Sequence, residues 1–256
     1  MGVTLACAWR PRGELGRWLR LRSRLDELYE RVIVAVPFDA DAAQTAEAAR
    51  AIGYPLRVAP ARFRTRYTVL EMAFEAAGGS VHYADGDRLL HWAETAPDEL
   101  ARVVPAIGEA DVLIIGRSPA ALATHPRALQ DTEAIVNALA SHLLGMAVDL
   151  GGGSRGLSAT GLAAVLRHAT PERFGDAEWP ILARRLGLRV DYRAADGLAW
   201  ETPDHDRAAA AEVARRAAAS AAYDADVGHW VGRVRTAREI VREALDAATR
   251  PLPTAS

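Results

Sequence analysis

Apolar positions along the first half of the chain follow two different periodicities. Continuous apolar runs such as VIVAVPF at residues 32–38 are rich in β-branched side chains, which is typical of strands covered on both faces. Between such runs, apolar residues recur at three- and four-residue spacing, as they do from Leu15 to Leu28, and this spacing predicts amphipathic helices. Regular alternation of strands and helices predicts an α/β protein with a mostly parallel, layered sheet.

The predicted strands of this half are VTLACAW, VIVAVPF, YPLRVAP, SVHYAD and ADVLIIG, which begin at residues 3, 32, 54, 80 and 110. Helices are predicted between them. The segment DADAAQTAEAARAIG at residues 39–53 opens with acids and closes on a glycine, and TVLEMAFEAAGG at residues 68–79 closes on a glycine pair. A further helix is predicted over residues 98–107.

The pattern after Gly116 is mainly helical. Long helices are predicted over residues 125–145, 159–169 and 178–187, and LRVDYRA at residues 188–194 is a late strand. The segment DLGGGSRGLS at residues 149–158 is predicted to be a glycine-rich loop between helices. From about residue 206 the chain is rich in Ala, Arg and Glu, so we expect a main domain over residues 1–205 and a helical C-terminal extension over residues 206–256.

Composition excludes several classes of protein. The net charge of −2 lacks the basic excess of a nucleic-acid-binding protein, so no nucleic-acid partner is expected. The single cysteine, Cys7, fits a reducing cytoplasm, and no segment approaches the roughly 20 apolar residues of a membrane span. All 31 basic residues other than histidine are arginine, which excludes mechanisms that need a lysine, such as a Walker-type phosphate loop or a Schiff base.

Asp85 and Asp87, in the sequence YADGD, follow a short apolar strand. Ligands of parallel α/β sheets bind beyond the carboxyl ends of the strands, and two carboxylates there could hold a divalent cation such as Mg²⁺ or Mn²⁺. The alternative is a turn, because Asp-Gly-Asp is also favourable turn chemistry.

Two further motifs could contact a nucleotide. Asp39 and Asp41 follow the second strand, where an acid can hydrogen-bond a ribose or a base edge; helix N-capping is the alternative and is favoured for Asp41. The glycine-rich loop contains Gly153 and Arg155, and such a loop can bring backbone amides and a guanidinium to a phosphate. A flexible connection without a ligand is the alternative for the loop.

The order of these motifs resembles that of GT-A glycosyltransferases of the family 2 type. The strand-ending YADGD, the strand ADVLIIGRS, the loop DLGGGSRGLS and the segment FGDAEWPILARRLGLRV come in the order seen in these enzymes, over most of the chain from Val3 to about Asp206. The resemblance implies a GT-A-like α/β/α fold and transfer of a sugar from a nucleotide-diphosphate donor with Mg²⁺ or Mn²⁺. Non-catalytic nucleotide-sugar binding and sugar-phosphate nucleotidyl transfer are the alternative functions.

The resemblance also implies roles for individual residues. Asp85 and Asp87 would bind the metal and the donor diphosphate as an Asp-x-Asp motif, and Asp39 would lie near the nucleoside. Arg66, Gly153 and Arg155 complete the nucleotide-sugar-binding set, whereas Asp176 or Glu178 would face the acceptor as the catalytic acid pair. The alternative is structural: Asp176 could cap the helix that follows, and Glu178 would suit its first turn. Two departures stand out: AWRPR replaces the usual acid after the first strand, and the acid pair appears as DAE rather than as adjacent acids.

Residues near the C-terminus suggest further partners. Some GT-A enzymes, those acting on phosphoglycerate in particular, have a late histidine that completes the metal shell, and His205 matches it; an exposed loop histidine is the alternative. Arg233, Arg235, Arg238 and Arg242 interleave with apolar residues in an amphipathic basic helix. That helix could touch a membrane surface carrying a lipid-phosphate acceptor, or be a solvated face or a homo-oligomer contact. The acceptor itself is not identified, and a phosphate-bearing one fits this helix.

Overall fold

A computed structural model describes residues 2–76, 79–201 and 213–252 of the chain. Within these residues one sheet contains seven strands: β1 (Val3–Ala8), β2 (Arg31–Val36), β3 (Leu56–Val58), β4 (Ser80–Asp85), β5 (Val112–Arg117), β6 (Ser154–Leu157) and β7 (Val190–Ala195). The α-helices are α1 (Leu15–Leu28), α2 (Ala42–Ala51), α3 (Thr65–Glu75), α4 (Gly86–Thr95), α5 (Pro97–Val103), α6 (Pro119–Ala123), α7 (Arg127–Leu144), α8 (Ala159–His168), α9 (Glu178–Arg185), α10 (Val213–Ala225) and α11 (Val227–Thr249). Short 3₁₀ helices span Val104–Ala106 and Asp196–Leu198.

The strand order across the sheet is β3-β2-β1-β4-β6-β5-β7. All neighbouring strands run parallel except β6, which is antiparallel to both β4 and β5. The predicted α/β fold with a mostly parallel central sheet is therefore confirmed. The predicted loop at residues 149–158 is corrected, because residues 154–157 form β6 and fill the gap between two parallel strands that do not meet.

Local sequence explains how several elements begin and end. Five of the six residues of β2 are buried, as expected of an apolar strand with helices on both faces. Asp41 caps α2, since its carboxylate accepts the backbone N–H of Gln44 at 2.8 Å, so the capping alternative holds for this acid. Helix α7 ends at Gly145, whose φ of 67° suits glycine at a helix C-terminus.

The core lies in two layers, one on each face of the sheet. One layer packs α1, α2, α4 and α5 around residues such as Trp18 and Trp92, and the other packs α3, α7, α8, α9 and α11 around residues such as Tyr83 and Trp179. The α/β/α layering predicted from the sequence is thus present.

The C-terminal region is helical, as α10 and α11 show for residues 213–249. Helix α11 packs against α7 and α9, and its residues Ile240, Ala244 and Ala247 belong to the core. The predicted boundary between residues 205 and 206 lies outside the described residues. None of the helices in the described ranges has the length and apolar character needed to cross a membrane.

Candidate active site

The carboxyl ends of β1, β2 and β4 meet at one edge of the sheet, where ligands of such sheets bind. Ala8 at the end of β1 lies beside Asp85 at the end of β4 in the strand register. The chain turns directly from β4 into α4, so Asp85 is the last strand residue and Asp87 lies in the first helical turn. A helix N-terminus favours negative charge, which suits both carboxylates.

Asp85 is held by two neighbours. Its Oδ2 accepts a hydrogen bond from an Nη atom of Arg66 at 2.6 Å, and its Oδ1 accepts one from the Tyr83 hydroxyl. The second Nη of Arg66 donates to Oδ1 of Asp176, also at 2.6 Å. Arg66 therefore bridges two carboxylates that are 91 positions apart in the chain.

The surroundings of Asp85 act on its charge in opposite directions. Burial raises the pKa of Asp85, the Arg66 guanidinium opposes this shift, and the charge of Asp87 adds to it. The Asp85 N–H donates to the carbonyl of Gly153 at 2.8 Å, and Gly153 has a φ of 63°. A Cβ at position 153 would lie 2.6 Å from the Asp85 Oδ2, so only glycine allows this close approach.

Asp85 and Asp87 form a donor set that fits a divalent cation. Both border the same cavities, and their oxygens are the hard ligands that Mg²⁺ and Mn²⁺ prefer. Within the described ranges no group of three or more His, Cys, Asp or Glu side chains could hold a metal ion. Two protein carboxylates leave coordination positions for diphosphate oxygens and water.

A first cavity of about 470 Å³ lies over the ends of β1, β2 and β3. Asp39 lines it, in the loop after β2, and forms an ion pair with Arg10 at 2.6 Å. This hydrogen bond from Arg10 lowers the pKa of Asp39. Arg10 comes from AWRPR, so the missing acid after β1 is replaced by a cation that pairs with the acid after β2.

A second cavity of about 270 Å³ lies on the other side of Asp85, between α4, α7 and α11. Arg88 and Arg233 line it together with Asn137 and Thr236. Within the described part of the chain the Arg88 guanidinium makes no ion pair, whereas Arg233 donates to Glu133. The second cavity therefore combines guanidinium groups with carboxylates, including those of Glu133 and Asp176, next to the paired aspartates.

A buried ionic cluster supports this second cavity from below. Arg117 donates to both carboxylate oxygens of Asp149, at 2.8 and 2.6 Å, and also to Glu133. Asn137 donates to Asp149 at 2.8 Å. Arg117 and the hydrogen bonds to Asp149 hold the pKa of that carboxyl far below its usual range, against the effect of burial.

The phosphate contact of Arg155 stays a prediction, and the structure places this side chain beneath the site. Arg155 lies on β6, opposite Tyr83 of β4, and is only 2% exposed. Its guanidinium donates to the backbone carbonyls of Ser154, Leu150 and Asp176 at 2.6, 3.0 and 3.2 Å. Arg155 lines neither cavity, because the strand directs its side chain into the core beneath the site.

The two acids predicted as the catalytic pair have different surroundings. Asp176 lines the second cavity and is bound to Arg66, and it does not cap α9, since the residue at that cap is Ala177. Glu178 is fully buried and accepts hydrogen bonds from Thr170, Arg173 and Arg250. Glu178 therefore lies in a structural network away from both cavities, and its catalytic role stays a prediction.

Other predicted and unpredicted residues complete the site. His205 lies outside the described residues, so its role as a metal ligand stays a prediction. Sequence reasoning missed Tyr83, although its place two positions before Asp85 on a strand puts both side chains on one face. It also missed Glu133, which binds Arg117, and Glu243 of α11, which accepts the backbone N–H groups of Phe174 and Gly175. No sequence motif includes either residue.

Comparisons with known proteins define the class of fold. No protein-family model and no curated protein sequence match the chain. Among solved structures, the chain is similar to glucosyl-3-phosphoglycerate synthase from Mycobacterium tuberculosis in complex with Mn²⁺, UDP and phosphoglyceric acid, with 15% identity, a TM-score of 0.60 and coverage of 97% of this chain and 79% of that one. The same enzyme with UDP-glucose gives 14% identity, a TM-score of 0.58 and coverage of 96% and 79%.

A mycobacterial protein is similar at 17% identity, with a TM-score of 0.56 and coverage of 96% of this chain and 74% of that one. At this level of identity the similarity defines the fold. The chain has the GT-A-like fold that its motifs predicted, with a layered, mostly parallel sheet.

Proposed function

We propose that this protein is a metal-dependent glycosyltransferase that moves a sugar from a nucleotide-diphosphate donor to a small acceptor. The observation that carries the proposal is the position of Asp85 between two cavities at the carboxyl edge of a GT-A-like sheet. One cavity has the size and position for a nucleoside diphosphate, and the other adjoins it with cationic groups. The Mn²⁺ and UDP named for the similar enzyme support a divalent metal and a nucleotide donor.

In this proposal the nucleoside lies against Asp39 in the first cavity, and the diphosphate extends toward Asp85 and Asp87. A bound Mg²⁺ or Mn²⁺ would neutralise the diphosphate and stabilise the leaving nucleoside diphosphate. The protein's own contribution is to hold the two carboxylates rigidly. Tyr83 fixes the orientation of Asp85, and Gly153 lets the adjacent backbone pack against it.

The acceptor would lie in the second cavity and carry an anionic group. Arg88 has no ion-pair partner within the described residues, and an uncompensated guanidinium at a cavity wall favours a phosphate or carboxylate. Arg233 and Thr236 of α11 line the same cavity. Phosphoglyceric acid is named for the similar enzyme and supports an anionic acceptor here.

Asp176 is the candidate general base. It lines the acceptor cavity, and an acceptor hydroxyl needs a nearby carboxylate to take its proton in an inverting transfer. The ion pair with Arg66 occupies the Asp176 carboxylate, so Asp176 can take a proton from the acceptor only when Arg66 changes partner. Retention with Asp176 binding the acceptor is the alternative, and the stereochemistry of the product distinguishes the two.

The test combines binding and turnover. UDP-, GDP- and ADP-sugars are screened with Mn²⁺ against phosphorylated and carboxylated small acceptors, and free nucleoside diphosphate is measured over time. We expect acceptor-dependent release in wild type and its loss in Asp87→Ala. Asp98→Ala is the matched control, because Asp98 occupies the first turn of α5 and is exposed away from both cavities.

Other results would favour the alternative functions. Nucleotide-sugar binding without release would indicate a non-catalytic binding protein, and pyrophosphate release from a nucleoside triphosphate and a sugar phosphate would indicate a nucleotidyltransferase. Arg88→Ala tests the acceptor cavity: the acceptor KM should rise about tenfold with the donor KM unchanged, because a charge-assisted contact is lost. A donor KM that rises equally would contradict this assignment.

A further inference from the structure

Arg66 forms part of the wall that the first and second cavities share. Three residues line both cavities, namely Arg66, Asp85 and Phe174. The ion pair of Arg66 with Asp85 therefore lies in the wall between the two cavities, beside the path along which a donor diphosphate and its sugar would extend. A cation that binds the Asp85 Oδ2 from either cavity must compete with Arg66 for this oxygen.

Two carboxylates and an aromatic ring hold the Arg66 guanidinium in place. One Nη atom contacts Asp85 and the other contacts Asp176, both at 2.6 Å, and the guanidinium lies over the Tyr83 ring at 5.6 Å from its centroid. The side chains of the three charged residues are between 14% and 25% exposed, so solvent screens these contacts only in part. Arg66 thus supplies a positive charge to the carboxylate that a metal would need.

We propose that Arg66 is an internal counterion which occupies the cation's place on Asp85 and is displaced when a divalent metal and a diphosphate bind. The inference rests on the proposed function. On displacement the Asp85 Oδ2 exchanges a guanidinium for the metal, and the released fork of Arg66 turns to the diphosphate, which suits its bidentate geometry. The exchange also separates Asp176 from Arg66 and leaves it the longer contact of 3.8 Å with Arg155.

This exchange has a measurable consequence for metal binding. In wild type, metal alone must compete with Arg66 for Asp85, so its affinity is lowered by the strength of that ion pair. Metal and diphosphate together remove the competition, since the diphosphate accepts the released guanidinium. Binding of the two ligands should therefore be positively coupled, and the coupling must be reciprocal.

The test measures Mn²⁺ binding by electron paramagnetic resonance of the free ion, with wild type, Arg66→Ala and Arg10→Ala. Arg10 is the matched control because it is also a cation beside the first cavity, but it pairs with Asp39. Removing a partly buried competing ion pair should strengthen binding of Mn²⁺ alone about tenfold in Arg66→Ala. Arg10→Ala changes only the electrostatic field around the site, so the Mn²⁺ affinity of this variant should stay within about twofold of wild type.

Adding UDP, GDP or ADP tests the second half of the inference. A nucleoside diphosphate should strengthen Mn²⁺ binding more in wild type than in Arg66→Ala, because only wild type has a guanidinium to release. Arg66→Lys is a second variant in case Arg66→Ala does not fold: its single ammonium cannot reproduce both contacts, so binding of Mn²⁺ alone should be intermediate.

Two kinds of failure can be told apart. If Arg66→Ala, or Arg66→Lys where only that variant folds, binds Mn²⁺ alone no more tightly than wild type, the counterion inference is wrong while the proposed function stands. If Asp87→Ala binds Mn²⁺ as wild type does, with and without nucleotide, the proposed metal site is wrong, and the behaviour of Arg66 has no bearing on function.

Discussion

Glu243 of the C-terminal helix holds the segment that leads into Asp176, and it should make stability depend on pH. Its carboxylate accepts the backbone N–H groups of Phe174 and Gly175 at 2.7 and 3.2 Å, and the residue is only 5% exposed. Phe174 lines both cavities, and Asp176 follows two residues later. A single acid on α11 therefore fixes the backbone beside the proposed base.

Burial raises the pKa of Glu243 from 4.5 to about 7; the charges of Asp176 and Glu178 add to the shift, and the two backbone N–H groups oppose it. The folded state then binds this proton more readily than the unfolded state does. The resulting stabilisation is complete below the unfolded pKa and is lost as the pH rises through the folded pKa. Between pH 5.5 and pH 8, linkage gives a loss of about 2 kcal/mol in the free energy of unfolding.

The assay is urea unfolding of wild type and Glu243→Gln across this pH range. Glutamine does not titrate, and the other groups titrate in both proteins, so the difference between the two unfolding free energies isolates Glu243. We expect that difference to shift by about 2 kcal/mol in favour of the variant as the pH rises. Glu239→Gln is the control one helical turn earlier, where the acid is 53% exposed and pairs loosely with Arg64.

A difference between wild type and Glu243→Gln that is constant from pH 5.5 to pH 8 would refute the reasoning. It would mean that Glu243 stays ionised throughout, held by the two backbone N–H groups despite its burial. A shift of equal size in Glu239→Gln would also refute it, since exposure should leave that residue without a comparable effect.

Four other substitutions distinguish residues of the site from residues that support it. Asp176→Asn should lower kcat by roughly 10²–10⁴ while donor affinity is kept. Glu178→Gln should lower the melting temperature and leave kcat nearly intact. Steady-state kinetics and thermal unfolding measure both variants, and the reverse pattern would indicate that Glu178 is the base. Gly153→Ala should weaken Mn²⁺ binding measured by titration, because its Cβ would collide with Asp85, and unchanged affinity would contradict that contact. Arg155→Lys should lower the free energy of unfolding by about 1–3 kcal/mol in urea and leave the donor KM unchanged, and a raised donor KM would support the original phosphate role.

Sequence patterns predict the layered fold because its main signals are local. The run at residues 32–38 needs burial on both faces, and a parallel sheet between helices is the arrangement that supplies it. The position of Asp85 follows from the same logic, since it comes at the end of a strand whose carboxyl end must lie at the ligand-binding edge. These expectations depend on spacing within about ten residues.

The pairing of Arg66 with Asp85 and Asp176 could not be predicted, because it joins α3, β4 and the segment before α9. Strand β6 was missed for a related reason. Its four residues, SRGL, include a glycine and an arginine and carry no strand signal of their own. They form a strand because β4 and β5 hydrogen-bond to them on both sides. The buried Arg155 is tolerated because backbone carbonyls accept hydrogen bonds from its guanidinium.

The chain has arginine at every position where a lysine could stand, and the effect of replacing an arginine by lysine differs from site to site. At the surface, Arg57 pairs with Glu75 at 2.7 Å, and a lysine ammonium could replace that guanidinium with little change. At Arg117 the same replacement would fail, because Nε and Nη bind Asp149 together while Nη also reaches Glu133.

Arg66 is a second position where the fork matters, since its two Nη atoms hold two carboxylates at 2.6 Å each. A diphosphate offers the same pattern of paired anionic oxygens as two carboxylates do, so one guanidinium can serve either partner without a change of charge. An ammonium group lacks this fixed pair of donors. The fork that now holds Asp85 and Asp176 is therefore also the group that would bind a diphosphate once a metal takes its place on Asp85.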